Sequence, residues 1–188
     1  MVPLAILSLS VQAASVDLNN FFADPTVTVA VDGSSALLKE DPGFAEVLLA
    51  DDPGLGDPEV IVAAPGTGLF FDYVFEEAGG EDDRVFAYLL EGATGNSLGP
   101  AFEFFTDTTS SGTVALDLSS LTGTQLGLSF ALQSGPADSG YNSTLTISNV
   151  RLDALTTVPL PAAIVNMLVG LVILVTASQR LRQRLGAA

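Results

Sequence analysis

The strongest constraint on the fold is a series of short apolar runs with a period of two residues. Residues 26–31 read T-V-T-V-A-V and residues 69–76 read L-F-F-D-Y-V-F-E. Successive side chains of a strand point to opposite faces, so this alternation is typical of β-strands. Val, Phe, Tyr and Thr also favour that conformation. Similar runs predict strands at 85–91, 101–106, 113–118, 126–132 and 143–152.

Turn-forming dipeptides separate these runs. Asp32-Gly33, Gly95-Asn96 and Ser139-Gly140 are three of them, and such pairs supply the backbone conformations that tight turns need. Many short strands at roughly ten-residue spacing predict an all-β fold, an antiparallel β-sandwich of the jelly-roll kind. Runs with helical periodicity are scarce before residue 156. Residues 119–123 are predicted to form only a single turn between strands.

The charge of the chain excludes one class of partner. All 22 acidic residues and only three basic ones lie in residues 1–157, which therefore carry a net charge of −19. Such a surface repels phosphates, so we expect no nucleic-acid partner. There is no cysteine and therefore no disulfide. About 140 residues remain for a single domain with a substantial core.

The chain contains few of the groups that catalysis uses. It has no histidine, which excludes Ser-His-Asp and Cys-His nucleophilic sites and histidine metal sites. We therefore expect no catalytic residues and no enzyme. A glycoside hydrolase that uses two carboxylates remains as an alternative, since two acids suffice for that reaction. With 22 acids, however, close carboxylates are also expected by chance.

One acidic loop is a candidate for calcium, the single cofactor that the sequence raises. Asp51, Asp52, Asp57 and Glu59 lie within nine residues, separated by prolines and glycines. Calcium takes six to eight oxygen ligands from such loops, although the spacing does not match an EF-hand. The competing interpretation is a polar turn between strands.

Aromatic residues alternate in the run at 69–76. Phe70, Phe71, Tyr73 and Phe75 fall on two faces, so one set is expected to pack in the core. If exposed, Phe71, Tyr73 or Tyr141 would present a ring to a sugar. An exposed aromatic strip on one sheet face would favour a carbohydrate-binding module over a plain structural role.

The last thirty residues predict a membrane segment. Residues 158–178 carry no charge, and as a helix they would span roughly 30 Å, the thickness of a bilayer's hydrocarbon core. Arg180, Arg182 and Arg184 follow and are expected to remain on the cytoplasmic side. The residues before the segment would then lie on the opposite side.

This tail resembles a PEP-CTERM sorting signal of the VPLPA type. The resemblance rests on a short proline motif, an apolar segment and a basic end, and it covers about thirty residues. It implies export in a Gram-negative bacterium that makes extracellular polysaccharide, with recognition and cleavage by an exosortase. The arginines here are interrupted by Leu181 and Gln183. The residues that match the recognition motif are Val158, Pro159, Leu160, Pro161 and Ala162.

The start of the chain is interpreted as a truncated signal peptide. Residues 2–11 are apolar, and Val11 and Ala13 occupy the two positions that a signal peptidase reads. The predicted organisation is a signal peptide at 1–13, a β-sandwich at 14–155, a linker with the sorting motif at 156–161, a transmembrane helix at 162–179 and a basic cytoplasmic tail at 180–188.

Together these patterns predict an exported, non-enzymatic surface or extracellular-matrix protein. It would be anchored transiently in the inner membrane, sorted by an exosortase and associated with extracellular polysaccharide. The first alternative is a carbohydrate- or calcium-binding module, and the second is the two-carboxylate glycoside hydrolase.

Overall fold

The computed structural model describes residues 13–58, 61–78, 82–136 and 140–155. The sorting motif, the predicted transmembrane helix, the basic tail and all but the last residue of the predicted signal peptide lie outside these ranges. Within the described residues, no helix is long and apolar enough to cross a membrane.

Strands make up most of the described chain, and short 3-10 turns connect some of them. The strands are β1 (Ala14–Ser15), β2 (Phe22–Ala23), β3 (Thr28–Val29), β4 (Ser35–Lys39), β5 (Glu46–Asp51), β6 (Ile61–Val62), β7 (Thr67–Glu76), β8 (Arg84–Glu91), β9 (Glu103–Thr106), β10 (Ser110–Asp117), β11 (Gln125–Gln133) and β12 (Thr144–Ala154). The 3-10 turns are Leu18–Asn20, Pro53–Leu55, Pro100–Phe102 and Ser119–Leu121.

The strands form two antiparallel sheets. Sheet A has the order β10-β7-β12-β4-β3, with β1 paired to β12, and sheet B has the order β2-β5-β11-β8-β9, with β6 paired to β11. All the observed pairings are antiparallel. The predicted antiparallel β-sandwich is therefore confirmed.

The core lies between the two sheets. Phe71 of sheet A meets Phe130 of sheet B edge to face, with ring centroids 5.1 Å apart and planes at 82°. It also meets Phe104 of β9 at 6.0 Å. All three rings face the other sheet because side chains alternate along each strand. Edge-to-face contact is a favoured arrangement of aromatic rings, and these rings form part of the packing between the two sheets.

Most of the predicted strands are present, and two are shorter than predicted. In the run at 26–31 only Thr28 and Val29 pair as a strand, because the backbone turns just before it, with the Val27 N–H donating to Asp24 O at 2.9 Å. The run at 101–106 begins pairing at Glu103, since Pro100 opens a 3-10 turn. Proline suits the first position of such a turn because it has no N–H to donate.

The two-residue strands β1, β2 and β6 have no counterpart among the predicted runs, and neither do two longer strands, β4 and β5. Their sequences, S-A-L-L-K and E-V-L-L-A-D, are rich in Ala, Leu, Lys and Glu, which favour helices. Their burial nevertheless alternates strictly. Pairing with β12 and β11 determines their conformation, so tertiary contacts override the local preference.

Candidate functional site

The outer face of sheet B carries a groove whose floor is the central strand β11. Along the middle of β11 this face carries only small residues, Gly127, Ser129 and Ala131, whereas Leu128 and Phe130 point into the core. Larger side chains stand beside these small residues on the neighbouring strands: Leu48 of β5 pairs with Ala131, and Tyr88 of β8 pairs with Ser129. Small residues between large ones create the depression, which we call the face groove.

Aromatic side chains cross the outer face of sheet B from one edge strand to the other, and Phe22, Phe86 and Tyr88 among them line the face groove. Phe22 and Phe105 belong to the two edge strands and are 57% and 50% exposed. Phe86 packs against Phe105 with ring centroids 5.1 Å apart and planes tilted by 46°. Tyr88 follows two residues later on the same face. One row of paired residues across the strands is Phe22, Ala50, Ser129, Tyr88 and Glu103, and the next is Leu48, Ala131, Phe86 and Phe105.

Two adjoining cavities make up the face groove and share Tyr88 and Ser97. The larger, about 430 Å³, lies over Phe22, Ala50 and Ser129, and the smaller, about 320 Å³, lies over Phe86 and Gln133. Strands in a sheet are about 4.8 Å apart, so Phe22 and Tyr88, three strands apart, are separated by about 14 Å. The face groove is therefore long enough for a short run of sugar residues.

Two loops form a wall along one side of the larger cavity. Residues 52–57 follow β5 and residues 92–99 follow β8, and each supplies residues to the lining. The loops touch through their backbones, because a Cβ added to Gly54 would lie 2.6 Å from the Gly95 nitrogen. Leu55 belongs to this wall and is 84% exposed.

Gly127 of β11 is the point at which the 52–57 loop packs against the central strand. A Cβ at this position would collide with the carbonyl oxygen of Asp51 and would lie 2.8 Å from Cδ of Pro53. The absence of a side chain therefore allows the start of the 52–57 loop to lie directly on β11.

The lining also carries carboxyl groups and hydroxyl groups. Asp52 and Asp57 line the larger cavity, and Glu46 and Glu103 line the smaller one. The Ser97 hydroxyl donates to Glu103 at 2.8 Å. Burial raises the pKa of Glu46, and the nearby charge of Asp24 raises it further. No Lys or Arg is among the described lining residues of either cavity.

In the predicted calcium loop, Asp51 lies apart from Asp52 and Asp57. Asp51 is fully buried on the core side of β5. The Asp52 carboxylate accepts from the Gly54 N–H at 2.9 Å and caps the 3-10 turn. The Asp57 carboxylate accepts from the Asp52 N–H at 3.1 Å, and Glu59 lies outside the described residues. Among the described residues, no group of three or more acids is arranged to hold a metal ion, and calcium binding stays a prediction.

The aromatic residues singled out in the sequence lie elsewhere. Phe71 and Phe75 are fully buried, as core packing predicts. Tyr73 packs against Phe104 with centroids 4.6 Å apart. Tyr141 is 38% exposed and lines a separate cavity of about 310 Å³ with Phe44 at one end of the sandwich. None of these residues lines the face groove.

The sequence contains a signal for the face groove that periodicity alone did not reveal. In β8, both alternating sets are apolar: Val85, Ala87 and Leu89 face the core, and Phe86, Tyr88 and Leu90 face outward. A strand with one solvated face normally carries polar residues on that face. An apolar outer set therefore indicates a surface that contacts something else.

Comparisons with known proteins assign no family to the chain. No protein-family model and no curated protein matches it. Among solved structures, it is similar to the CBM27-1 carbohydrate-binding module of Caldicellulosiruptor saccharolyticus in complex with mannohexaose, with a TM-score of 0.44, 14% identity and coverage of 77% of this chain and 98% of that one.

Two further solved structures show a similar degree of likeness. One is TmCBM27, a carbohydrate-binding module described by its mannan recognition, with a TM-score of 0.43, 14% identity and coverage of 79% of this chain and 98% of that one. The other is the enzymatically active domain of bacteriophage CBA120 tailspike protein 4, with a TM-score of 0.43, 14% identity and coverage of 73% of this chain but 20% of that one. At these scores and identities, the likeness assigns no ligand.

Proposed function

We propose that the protein binds a polysaccharide in the face groove. The observation that supports this most is the set of aromatic rings that crosses the outer face of sheet B above a floor of small residues. Aromatic rings offer a rigid apolar surface at low entropic cost, and sugar rings have apolar C–H faces that pack on it. The carboxylates of Asp52, Asp57 and Glu103 would accept hydrogen bonds from sugar hydroxyls.

A purely structural role explains this surface less well. In an antiparallel sandwich, the outer face of a sheet contacts water and is usually polar. Here Phe22 is half exposed beside Tyr88 and Leu48, and Phe105 is half exposed against Phe86. A contiguous apolar patch bordered by polar groups is typical of an interaction site, and a cavity with a few convergent polar groups is typical of ligand binding.

Substitution of Tyr88 tests the proposal. Isothermal titration with soluble β-glucan, galactomannan and xylan is expected to show binding of at least one of them by the wild-type protein. Tyr88→Ala should weaken that binding by at least about tenfold, or ~1.4 kcal/mol, as for a central aromatic anchor. Tyr88→Phe, which keeps the ring, should retain most of it.

Phe44→Ala is the matched control, because Phe44 is 47% exposed and lines the separate cavity that also contains Tyr141. It is expected to leave the binding unchanged. Failure of all three polysaccharides to bind, or loss of binding in Phe44→Ala but not in Tyr88→Ala, would contradict the proposal. Release of reducing ends from a bound polysaccharide would instead support the alternative of a two-carboxylate hydrolase.

We also propose, from the tail sequence, that an exosortase sorts the protein during export. The motif at 158–162 and the uncharged segment that precedes Arg180, Arg182 and Arg184 support this. In a host that has an exosortase, the mature chain is expected to lack most of residues 163–188. Replacing Pro159 and Pro161 with alanine should leave the uncut form in the inner membrane. Mass spectrometry of protein recovered outside the cell is the measurement, and an intact C-terminus there would refute the idea.

A further inference from the structure

The charged side chains that line the face groove are all acidic. The two cavities that form it are lined by four carboxyl groups, those of Asp52, Asp57, Glu46 and Glu103, and by no base among the described residues. Arg84 is the first residue of β8; it lies on the same outer face as Phe86 and pairs with Gln133, which lines the smaller cavity. Arg84 itself lines neither cavity, so a ligand in the face groove meets more acidic than basic groups, most clearly beside Asp52 and Asp57.

The four carboxyl groups come from three separate parts of the fold. Glu46 begins β5, Asp52 and Asp57 belong to the wall after that strand, and Glu103 begins the edge strand β9. Sheet pairing brings Glu103 opposite Tyr88, on the same face as the aromatic rings. The charges thus surround the aromatic surface on which a sugar chain would rest, rather than forming one acidic loop.

These carboxylates retain capacity for a ligand. Asp52 accepts from Gly54 through Oδ1, Asp57 accepts from Asp52 through Oδ2, and Glu103 accepts from Ser97 through Oε1. A carboxylate has two oxygens and about four acceptor sites, so each of the three can accept more hydrogen bonds. All of them accept and none donates, which favours a ligand rich in O–H or N–H donors.

We propose that the face groove selects polysaccharides by charge, excluding chains with carboxylate or sulfate groups and binding amino-bearing chains more tightly than neutral ones. This rests on the proposed function. A polyanion laid along the aromatic row is repelled by the surrounding carboxylates, in addition to the net charge of −19 of residues 1–157. An ammonium group on the same path gains charge-assisted hydrogen bonds.

Chitosan, a neutral β-glucan and alginate test this as cationic, uncharged and anionic chains. Binding is compared at low ionic strength and about pH 5.5, where ordinary carboxyl groups are ionised. Chitosan is expected to bind more tightly than the glucan by about two- to fivefold per carboxylate that it meets. Alginate is expected not to bind. Added sodium chloride should reduce the advantage of chitosan because it screens exposed charges.

Two double variants distinguish the effect of the carboxylates in the face groove from general attraction to the acidic surface. Asp57→Asn with Glu103→Gln should lower the ratio of chitosan to glucan affinity by about fourfold or more. Asp32→Asn with Asp117→Asn removes two exposed charges that line neither cavity, and it should leave the ratio unchanged. An equal fall in both double variants would overturn the proposal.

The outcomes also distinguish this proposal from the function on which it rests. Alginate binding as tight as glucan binding, with both lost in Tyr88→Ala, would refute charge selection but leave polysaccharide binding in the face groove intact. Failure of every chain to bind would refute both.

Discussion

Ser143 holds together a buried polar network at one end of the sandwich. Its hydroxyl donates to the fully buried Asp83 at 2.6 Å and accepts from the Ala78 N–H at 2.9 Å, while its own N–H donates to Glu40 at 2.7 Å. Asp83 also accepts from the Gly135 N–H at 2.8 Å. One serine thus links its own segment to two others that are distant in sequence, that of Glu40 and that of Ala78 and Asp83.

Ser143→Ala is expected to destabilise the fold. The substitution removes the hydroxyl that donates to a buried carboxylate, and hydrogen bonds to charged groups contribute about 1.5–3 kcal/mol. Urea denaturation monitored by circular dichroism should show a loss of this size. Ser111→Ala, at an exposed position of β10, is the control and should change stability by less than about 0.5 kcal/mol. Equal stability of the two variants would contradict this role of Ser143.

Gly127→Ala is expected to affect both stability and binding. The new methyl group would collide with the Asp51 carbonyl and push the 52–57 wall away from the floor. Overpacking of this kind costs about 1–3 kcal/mol. The melting temperature should fall, and the affinity for the polysaccharide should fall in protein that is still folded. Gly112→Ala is the matched control, because an added Cβ there would meet only Tyr73 at 3.5 Å, an ordinary contact.

At the scale of the elements, side-chain hydrogen bonds to Asp72 connect three strands of sheet A. Asp72 of β7 accepts from the Thr113 hydroxyl of β10 at 2.6 Å and from the Asn149 amide of β12 at 2.6 Å. Asn149 adopts φ +53 where the register of β12 shifts, and such an irregularity re-aims a side chain. These hydrogen bonds, that of Thr113 first, lower the pKa of Asp72 from its ordinary value of 3.8.

The lowered pKa predicts how Asp72 affects acid stability. A carboxyl group whose pKa is lower in the folded state adds stability that is present above its unfolded pKa. That stability is lost as the pH falls through the folded value. Between about pH 4.5 and pH 2.5, the melting temperature of the wild-type protein should therefore fall more steeply than that of Asp72→Asn. Parallel pH profiles for the two proteins would show that the hydrogen bonds of Asp72 do not contribute to the pH dependence of stability.

At the scale of the whole molecule, the negative charge affects stability through self-repulsion. Residues 1–157 carry 22 acids and three bases, so added salt is expected to raise the melting temperature by screening. This effect must be separated from any specific calcium site in the 51–59 loop.

Calcium is expected to raise the melting temperature more than sodium chloride of matched ionic strength does. A cation that binds only the folded state stabilises it by about 2.7 kcal/mol at a hundredfold excess over Kd, which corresponds to several degrees for a domain of this size. Asp52→Asn with Asp57→Asn should remove the calcium-specific part. Equal shifts in the two salts would show that the loop is only a turn.

Sequence periodicity identified the class of fold and most of the long strands. The runs at 69–76, 85–91, 113–118 and 126–132 correspond to β7, β8, β10 and β11, because alternation and β-branched or aromatic residues are local properties of the chain. The acidity and the absence of histidine likewise follow directly from composition. Without histidine no Ser-His-Asp or Cys-His site can form, and the acidity predicts that nucleic acid is not a partner.

Only the tertiary structure decided which faces are buried and where the face groove lies. In β8, both alternating sets are apolar, so its pattern alone cannot say which set faces the core. In β4 and β5, long-range pairing overrides residues that favour helices. The groove combines Phe22, Leu48, Tyr88 and Ser129 from four strands that are distant in sequence. Such a site depends on the register between strands, which the final packing of the two sheets determines.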